Sequence, residues 1–91
     1  MSILITGVAG FIGMHLANSL LKDGQIVYGI DNLNDYYDVE LKTARIKQLE
    51  HFGKNFKFFK LDIIDKKKLV RVFNNYDFEI VIHLAAQAGV R

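Results

Sequence analysis

Cysteine and proline are both absent from this 91-residue chain, and other features that would identify a class of protein are missing too. Without cysteine there is no disulfide framework, no cysteine-ligated metal and no thiol nucleophile, which fits a reducing compartment, the cytoplasm. No apolar run approaches the roughly 18 residues of a membrane span. The net charge of +2 is too small to indicate a nucleic-acid partner. No basic segment precedes the apolar N-terminus, so a signal peptide is not expected.

The chain has instead the composition of one globular domain, with 51% hydrophobic and 24% charged residues. Its most informative stretch is MSILITGVAGFIG, where a short β-branched run precedes three regularly spaced glycines. A strand, a glycine turn and a helix in this order present backbone N–H groups and a helix N-terminus to a phosphate. Gly7 would allow the tight turn, Gly10 the approach of a pyrophosphate, and Gly13 close packing of the helix on the sheet.

The glycine spacing is GxxGxxG rather than the GxGxxG of the common dinucleotide fingerprint. A structural turn that happens to contain glycine is therefore the alternative, although the expected flanking strand and helix favour phosphate binding. Asp31 supports the same interpretation, because it follows a second apolar run and lies eighteen residues beyond Gly13. A carboxylate there can accept hydrogen bonds from both ribose hydroxyls and repels a 2′-phosphate, which favours NAD over NADP. A capping or solvated aspartate is the alternative.

The hydrophobic pattern predicts four strands that alternate with three helices. The strands are expected at 3–5, 26–30, 56–61 and 79–84. The helices are expected from Phe11 to a stop at Gly24, at 39–52, and from an N-cap at Asp65 to about residue 74. The second helix would be capped by Asp35 or Asp38. The expected inward-facing residues of the second and third helices are Leu41, Ala44, Leu49 and Phe52, and Leu69, Val70 and Phe73.

This alternation predicts an α/β fold with a parallel sheet and right-handed crossovers. In the Rossmann-type topology the strand order is 3-2-1-4, with two helices on one face and the third on the other. The lysines of the third strand place it near a sheet edge. The glycine turn, Asp31, Asp62 and residues 85–91 would then share one rim, at the C-terminal strand ends. The fourth strand would be an apolar edge, so we expect self-association through that edge or the half-covered face.

Three further sets of residues have simple explanations beside functional ones. His83 is expected to be a half-buried side chain rather than a base, and His15 and His51 have no partner at ligand spacing, so no metal is assigned. The third helix has a basic cluster that consists of Lys66, Lys67, Lys68 and Arg71. This cluster is expected to be a solvated helix face, with a phosphate-binding patch as the alternative. Tyr36 and Tyr37 would flank an adenine or a substrate, or else contribute to packing.

Three segments, TGVAGFIG, DNLNDYYD and VIHLAAQAGVR, together resemble the N-terminal part of the extended short-chain dehydrogenase/reductases. More narrowly, the chain is similar over its whole length to the NAD-dependent epimerase/dehydratase family, and DNLNDYYD with AAQAGVR points to its UDP-glucuronate 4-epimerases. The resemblance implies NAD as the cofactor and a UDP-sugar as the substrate of the complete enzyme. Residues 1–91 would be the N-terminal part of its NAD(P)-binding domain.

The same resemblance assigns roles around the dinucleotide. Gly7, Gly10 and Gly13 match the glycine turn, and the amides of Phe11 and Ile12 would bind the pyrophosphate. Asp31 matches the ribose acid, with Asn32 beside it. The residues matching the adenine site are Asp62, by its carboxylate to the exocyclic amine, and Ile63, by its backbone N–H.

The resemblance also implies contacts at the other end of the cofactor. Leu84, Ala85 and Ala86 match the segment under the nicotinamide ribose. Residues 87–91 would border the sugar-nucleotide pocket, with Gln87 and Arg91 as substrate contacts and Arg91 facing an anionic group.

The catalytic pattern of the family is not found in this chain. Members of the family share a Ser/Thr and a Tyr-x-x-x-Lys further along the chain. The tyrosine takes a proton from the sugar hydroxyl as hydride passes to the nicotinamide. No tyrosine here has a lysine four residues later; the tyrosines are Tyr28, Tyr36, Tyr37 and Tyr76. We therefore expect a cofactor-binding part that does not turn over substrate by itself. The alternatives are a fragment of a nucleotide-sugar dehydratase or reductase, and a non-catalytic nucleotide-binding or assembly module.

Overall fold

The computed structural model describes residues 1–33 and 39–85. Within them, one parallel sheet contains β1 (Ser2–Thr6), β2 (Ile26–Asp31), β3 (Phe56–Lys60) and β4 (Ile80–His83). The strand order is β3-β2-β1-β4. This confirms the predicted Rossmann-type order, and it puts the lysine-containing β3 at one edge and the apolar β4 at the other.

The helices are α1 (Phe11–Lys22), α2 (Val39–Glu50) and α3 (Lys66–Asn75), and a short 3₁₀ helix at Gly53–Asn55 leads into β3. The second helix ends two residues earlier than predicted. The amides of His51 and Phe52 bond to carbonyls three residues back, which tightens the chain before Gly53 with its φ of +68°. No helix in the described part of the chain has the length and apolar character needed to cross a membrane.

The predicted helix signals at Gly24 and Asp65 are confirmed. Gly24 has a φ of +83°, and its N–H donates to the Leu21 carbonyl at 3.0 Å while the Gln25 N–H donates to the Leu20 carbonyl at 3.0 Å. This pair of bonds is a Schellman motif, which satisfies the last carbonyls of α1. Asp65 caps α3 by accepting a hydrogen bond from the Lys68 N–H at 3.3 Å.

Each face of the sheet has its own hydrophobic core. On one face, alternate residues of β1 and β2 pack under α1 and α2; this cluster includes Ile3, Ile5, Val27, Ala17, Leu21, Ile46 and Leu49. On the other face, Leu4 and Ile30 pack against Val72 of α3, within a ring of partly buried aromatics, Tyr28, Phe59, Tyr76 and Phe78. Two helices therefore cover one face and α3 covers the other, as predicted.

The predicted inward stripes of α2 and α3 are partly wrong. In α2, Leu41 is 46% exposed and Ala44 is exposed too. The inward face consists instead of four residues with the i, i+3, i+4, i+7 spacing of one helix face: Lys42, Arg45, Ile46 and Leu49. Ile46 and Leu49 lie in the core, whereas Lys42 bonds to Asp31 and Arg45 bonds to the Ala9 carbonyl. In α3, Val70 and Phe73 are 53% and 45% exposed, and Val72 is the buried residue.

Gly29, in the middle of β2, has a packing role that was not predicted from the sequence. A Cβ atom added there would lie 2.6 Å from Cγ1 of Val8 and 2.9 Å from its Cγ2. Val8 is fully buried in the turn after β1, so its side chain occupies the space that a side chain at position 29 would need. The turn therefore packs directly on the backbone of the neighbouring strand.

We expect Gly29→Ala to lower the free energy of unfolding by about 1–3 kcal/mol, because the added methyl group overpacks this contact. Urea denaturation of the 91-residue chain measures the change. Val8→Ala removes the obstructing methyl groups, so the double variant should lose less than the two single losses combined. Strictly additive losses would contradict the contact between Gly29 and Val8.

Candidate functional site

The residues between β1 and α1 form a tight turn that main-chain hydrogen bonds hold against β2. The N–H groups of Gly7 and Val8 both donate to the Ile30 carbonyl, at 2.8 and 3.2 Å, and the Gly10 N–H donates to the Gly7 carbonyl at 3.1 Å. Gly7 has a φ of +76°, and a Cβ atom there would lie 2.8 Å from the backbone nitrogen of Ala85. Glycine is therefore required at position 7 for two reasons, its backbone conformation and its close contact with the chain after β4.

The other two glycines of the turn have different surroundings. A Cβ atom at Gly13 would collide with the Gly7 carbonyl oxygen and lie 3.0 Å from Cα of Val8, so glycine allows α1 to pack on the turn. At Gly10, one atom of the described chain apart from the adjoining residues lies within 4 Å of an added Cβ; it is the Gly7 carbonyl oxygen, at 3.3 Å, a closer contact than usual. Gly10 has a φ of −71°, which any residue adopts. The packing of the chain therefore leaves space over Gly10 for a ligand.

The N-terminus of α1 opens onto this space. Gly10 is the N-cap, and among the described residues no side chain caps the helix and no acid lies in its first turn. The first amides of an α-helix have no intrahelical acceptor, and the helix dipole makes this end positive. Phe11 and Ile12 belong to the apolar pattern of this helix, but their side chains are 65% and 67% exposed and are not part of the core. The arrangement suits an anion.

Asp31 ends β2 beside the same turn. Its Oδ2 accepts a hydrogen bond from the Ala9 N–H at 3.0 Å, and its Oδ1 accepts one from the Leu33 N–H at 2.8 Å. Nζ of Lys42 in α2 lies 3.3 Å from Oδ1, and the Asp31 side chain is 4% exposed. The alternative of a solvated aspartate is therefore wrong. The bond to Leu33 caps a local turn, so the capping alternative holds for part of the carboxylate.

Two cations of α2 contact this corner of the site, and neither was predicted from the sequence. Lys42 pairs with Asp31, and Nη1 of Arg45 donates to the Ala9 carbonyl at 3.1 Å. The peptide groups on either side of Ala9 are thus fixed, one by an acid of β2 and the other by a base of α2. The available signal was the three-residue spacing of Lys42 and Arg45 on the face that also carries Ile46 and Leu49.

The predicted adenine-side residues lie on the same rim, after β3. Nδ2 of Asn32 donates to Oδ2 of Asp62 at 3.3 Å, and Oδ1 of Asp62 accepts from the Ile64 N–H at 3.1 Å. Ile63 is half-buried and packs on the core beneath α3. The described residues contain no group of three or more histidines and acids arranged to hold a metal.

β1 and β4 end side by side at the opposite end of the rim. Leu84 N–H donates to the Thr6 carbonyl at 3.0 Å, and Oγ1 of Thr6 lies 2.7 Å from Nδ1 of His83. His83 is exposed rather than half-buried as predicted, because β4 is an edge strand. Lys66, Lys67, Lys68 and Arg71 are exposed on α3, which fits the solvated face. Several predicted residues lie outside the described ranges: Asp35, Tyr36, Tyr37, Asp38, Ala86, Gln87 and Arg91.

Comparison with known proteins gives a consistent family. A family model described as GDP-mannose 4,6 dehydratase matches residues 4–91. A UDP-glucuronate 4-epimerase from Thermodesulfobacterium geofontis is 52% identical over 88 residues, which cover 97% of this chain and 27% of the relative. UDP-glucuronate 4-epimerase 3 of Arabidopsis thaliana is 48% identical over 92 residues, covering 99% and 20%. The chain therefore spans about a quarter of the length of such curated relatives.

Solved structures agree with this relationship. The UDP-glucuronic acid 4-epimerase of Bacillus cereus in complex with NAD superposes with a TM-score of 0.77 at 42% identity, covering 100% of this chain and 28% of that one. The UDP-glucose 4-epimerase of Bifidobacterium longum in complex with NAD⁺ and UDP gives a TM-score of 0.78 at 32% identity, covering 96% and 25%.

We expect Asp31→Asn to lower the free energy of unfolding by about 1–3 kcal/mol. Asparagine replaces one carboxylate oxygen by an NH₂ group, which cannot accept from the Ala9 or Leu33 N–H that it faces, and the side chain no longer balances the charge of Lys42. Urea denaturation measures the loss. Asp23→Asn, an exposed change at the C-cap of α1, is the matched control and should stay within about 0.5 kcal/mol. Equal losses in the two variants would show that the Asp31 contacts do not stabilise the turn.

Proposed function

The chain belongs to the GDP-mannose 4,6 dehydratase family of NAD-dependent epimerases and dehydratases, and we propose that it binds NAD as the N-terminal part of a UDP-glucuronate 4-epimerase. The observation that supports this most directly is the hydrogen bond between the Ala9 amide and the buried Asp31 carboxylate. It joins an acid suited to ribose hydroxyls to a glycine turn suited to phosphates. Relatives described as UDP-glucuronate 4-epimerases, and solved structures described as complexes with NAD, support the same function.

The proposed contacts follow the rim from one end to the other. The pyrophosphate would lie over Gly10, against the amides of Phe11 and Ile12. Asp31 would hold the adenosine ribose, with Asn32 beside it, and the adenine would lie by Asp62 and Ile63. The nicotinamide ribose would lie over Leu84 and Ala85, with Ala86 beyond them. Substrate contacts by Gln87 and Arg91 remain part of the proposal.

The contribution of this chain to the reaction is to bind and orient. When bound, NAD supplies the hydride acceptor and donor needed to oxidise and re-reduce a sugar carbon. A Tyr-x-x-x-Lys, which would hold and move the proton, does not occur in residues 1–91. Turnover of a nucleotide sugar would therefore need residues beyond these. The lack of cysteine is compatible with a cytoplasmic setting, which we include in the proposal.

Calorimetric titration tests the cofactor assignment. We expect the chain to bind NAD more tightly than NADP, because the Asp31 carboxylate repels a 2′-phosphate. Gly10→Ala should weaken NAD binding about tenfold or more, since the methyl group enters the space left for the phosphates. The same change should lower the free energy of unfolding by no more than about 1 kcal/mol, because the φ of Gly10 suits alanine and the close contact with the Gly7 carbonyl oxygen needs a small shift.

Ser19→Ala, an exposed change further along α1, is the control and should leave NAD affinity unchanged. Failure of the unsubstituted chain to bind either dinucleotide would overturn the assignment and favour a non-catalytic assembly module. NAD binding that survives in Gly10→Ala would remove the pyrophosphate from the glycine turn.

We also propose that copies of this chain associate through β4. This strand is at a sheet edge, and Ile80, Val81 and Leu84 are 40%, 49% and 38% exposed. An apolar edge strand has unpaired backbone groups that a second copy can pair with. A second copy would therefore bury the apolar side chains of β4 and pair with its free backbone groups.

Light scattering over a range of concentrations should show a species larger than the monomer, and Val81→Lys should shift it toward the monomer. Lys57→Glu, on the opposite edge strand β3, provides the control and should leave the distribution unchanged. A monomer at all concentrations would rule out association through β4.

A further inference from the structure

The hydroxyl of Thr6 is buried at the end of β1 and has three hydrogen-bonding neighbours. Thr6 is 4% exposed. Its Oγ1 lies 3.1 Å from the Leu84 backbone nitrogen, 3.3 Å from the Ala85 backbone nitrogen and 2.7 Å from Nδ1 of His83. The Leu84 N–H is shared with the Thr6 carbonyl oxygen, 3.0 Å away. All three neighbours of the hydroxyl belong to the end of β4 and the two residues after it.

The donors and acceptors around Oγ1 favour one direction for these bonds. A hydroxyl has two acceptor lone pairs and one hydrogen. The amides of Leu84 and Ala85 can only donate, so they take the acceptor side of Oγ1. Among the described neighbours of this buried hydroxyl, Nδ1 of His83 is the group that can accept its hydrogen, and the distance of 2.7 Å is typical of an O–H donor. A neutral His83 that accepts at Nδ1 carries its hydrogen on Nε2.

The same bonds determine the course of the chain after β4. The strand register between β1 and β4 ends at the pair Thr6 and His83, and beyond it the Thr6 hydroxyl contacts the backbone of Leu84 and Ala85. Gly7 adds close contact, because a Cβ there would lie 2.8 Å from the Ala85 nitrogen. We propose that Thr6 is a positioning residue, whose hydroxyl fixes His83 as the Nε2–H tautomer and sets the backbone of Leu84 and Ala85. Its consequence for the nicotinamide ribose rests on the proposed function.

His15 provides an internal reference of the opposite kind. Its Nδ1 lies 2.9 Å from the Phe11 carbonyl oxygen, which can only accept a hydrogen bond. A neutral His15 therefore carries its hydrogen on Nδ1. The two histidines should give opposite tautomers in one sample.

Long-range ¹H–¹⁵N correlation spectra of the chain, labelled with ¹⁵N-histidine, distinguish the two tautomers. The spectra are recorded at a pH where imidazole is neutral, and His15→Gln and His51→Gln variants assign the signals. We expect mainly Nε2–H for His83 and Nδ1–H for His15. A His83 that carries its hydrogen on Nδ1 overturns the proposal.

Two substitutions separate the hydroxyl from the shape of the side chain. Thr6→Val keeps the branched shape and removes the hydroxyl, whereas Thr6→Ser keeps the hydroxyl. In Thr6→Val we expect both tautomers at His83 and amide hydrogen exchange about tenfold faster at Leu84 and Ala85. Thr6→Ser should keep the original tautomer and slow exchange. Equal behaviour of the two variants would show that the hydroxyl does not position this backbone.

Titration with NAD gives the third readout. Thr6→Val should raise the Kd about five- to tenfold, and Thr6→Ser should leave it within about twofold. NAD affinity that is unchanged in Thr6→Val would overturn the link between Thr6 and the nicotinamide ribose. If the unsubstituted chain does not bind NAD, the proposed function fails, while the tautomer and exchange results still decide whether the hydroxyl acts as proposed.

Discussion

The position of the Ala9 backbone is the constraint on which the rest of the site depends. Its N–H is held by a carboxylate of β2 and its carbonyl by a guanidinium of α2. Because Asp31 also pairs with Lys42, the turn, the second strand and the second helix form one network of charged and main-chain groups. Buried charges are tolerated when they are paired and hydrogen-bonded, and then they specify one arrangement. Here they set the entrance to α1 relative to the end of β2.

Packing beneath the turn supports the same geometry. Val8 fills the space above Gly29, and Gly7 leaves room for the backbone of Ala85. The turn thus contacts β2 on one side and the chain after β4 on the other, and in each case a glycine provides the space. Since parallel strands end on one rim, groups far apart in sequence meet there without long loops. The described residues of this site are therefore positioned by the sheet itself.

Much of this architecture could be predicted from local sequence, because its signals are local. Buried parallel strands are short apolar runs, Gly24 and Asp65 stop and start helices, and the β-α alternation leaves few topologies. The position of Asp31 beside the turn followed from the end of its strand. Its carboxylate is nevertheless more enclosed than a lone aspartate suggested.

The features that could not be predicted from the sequence depend on tertiary contacts. Lys42 and Arg45 look like ordinary surface cations of a helix, and only their partners in β2 and the turn explain them. The face of α2 was therefore assigned to its apolar residues, Leu41 among them, although charged residues point inward. Likewise, Gly29 has no local reason to be glycine, since its requirement comes from Val8.

The pairing of the first and the last strand has a consequence for biosynthesis. Contacts between β1 and the region of β4 join residues 77 positions apart, as between Ser2 and Glu79. On a ribosome, the strands β1, β2 and β3 and their two helices can begin to pack while β4 is still being made. Ordering of the chain near Ala85 must wait, because closing so long a loop precedes any contact that rewards it. During translation β1 therefore spends a period as a sheet edge.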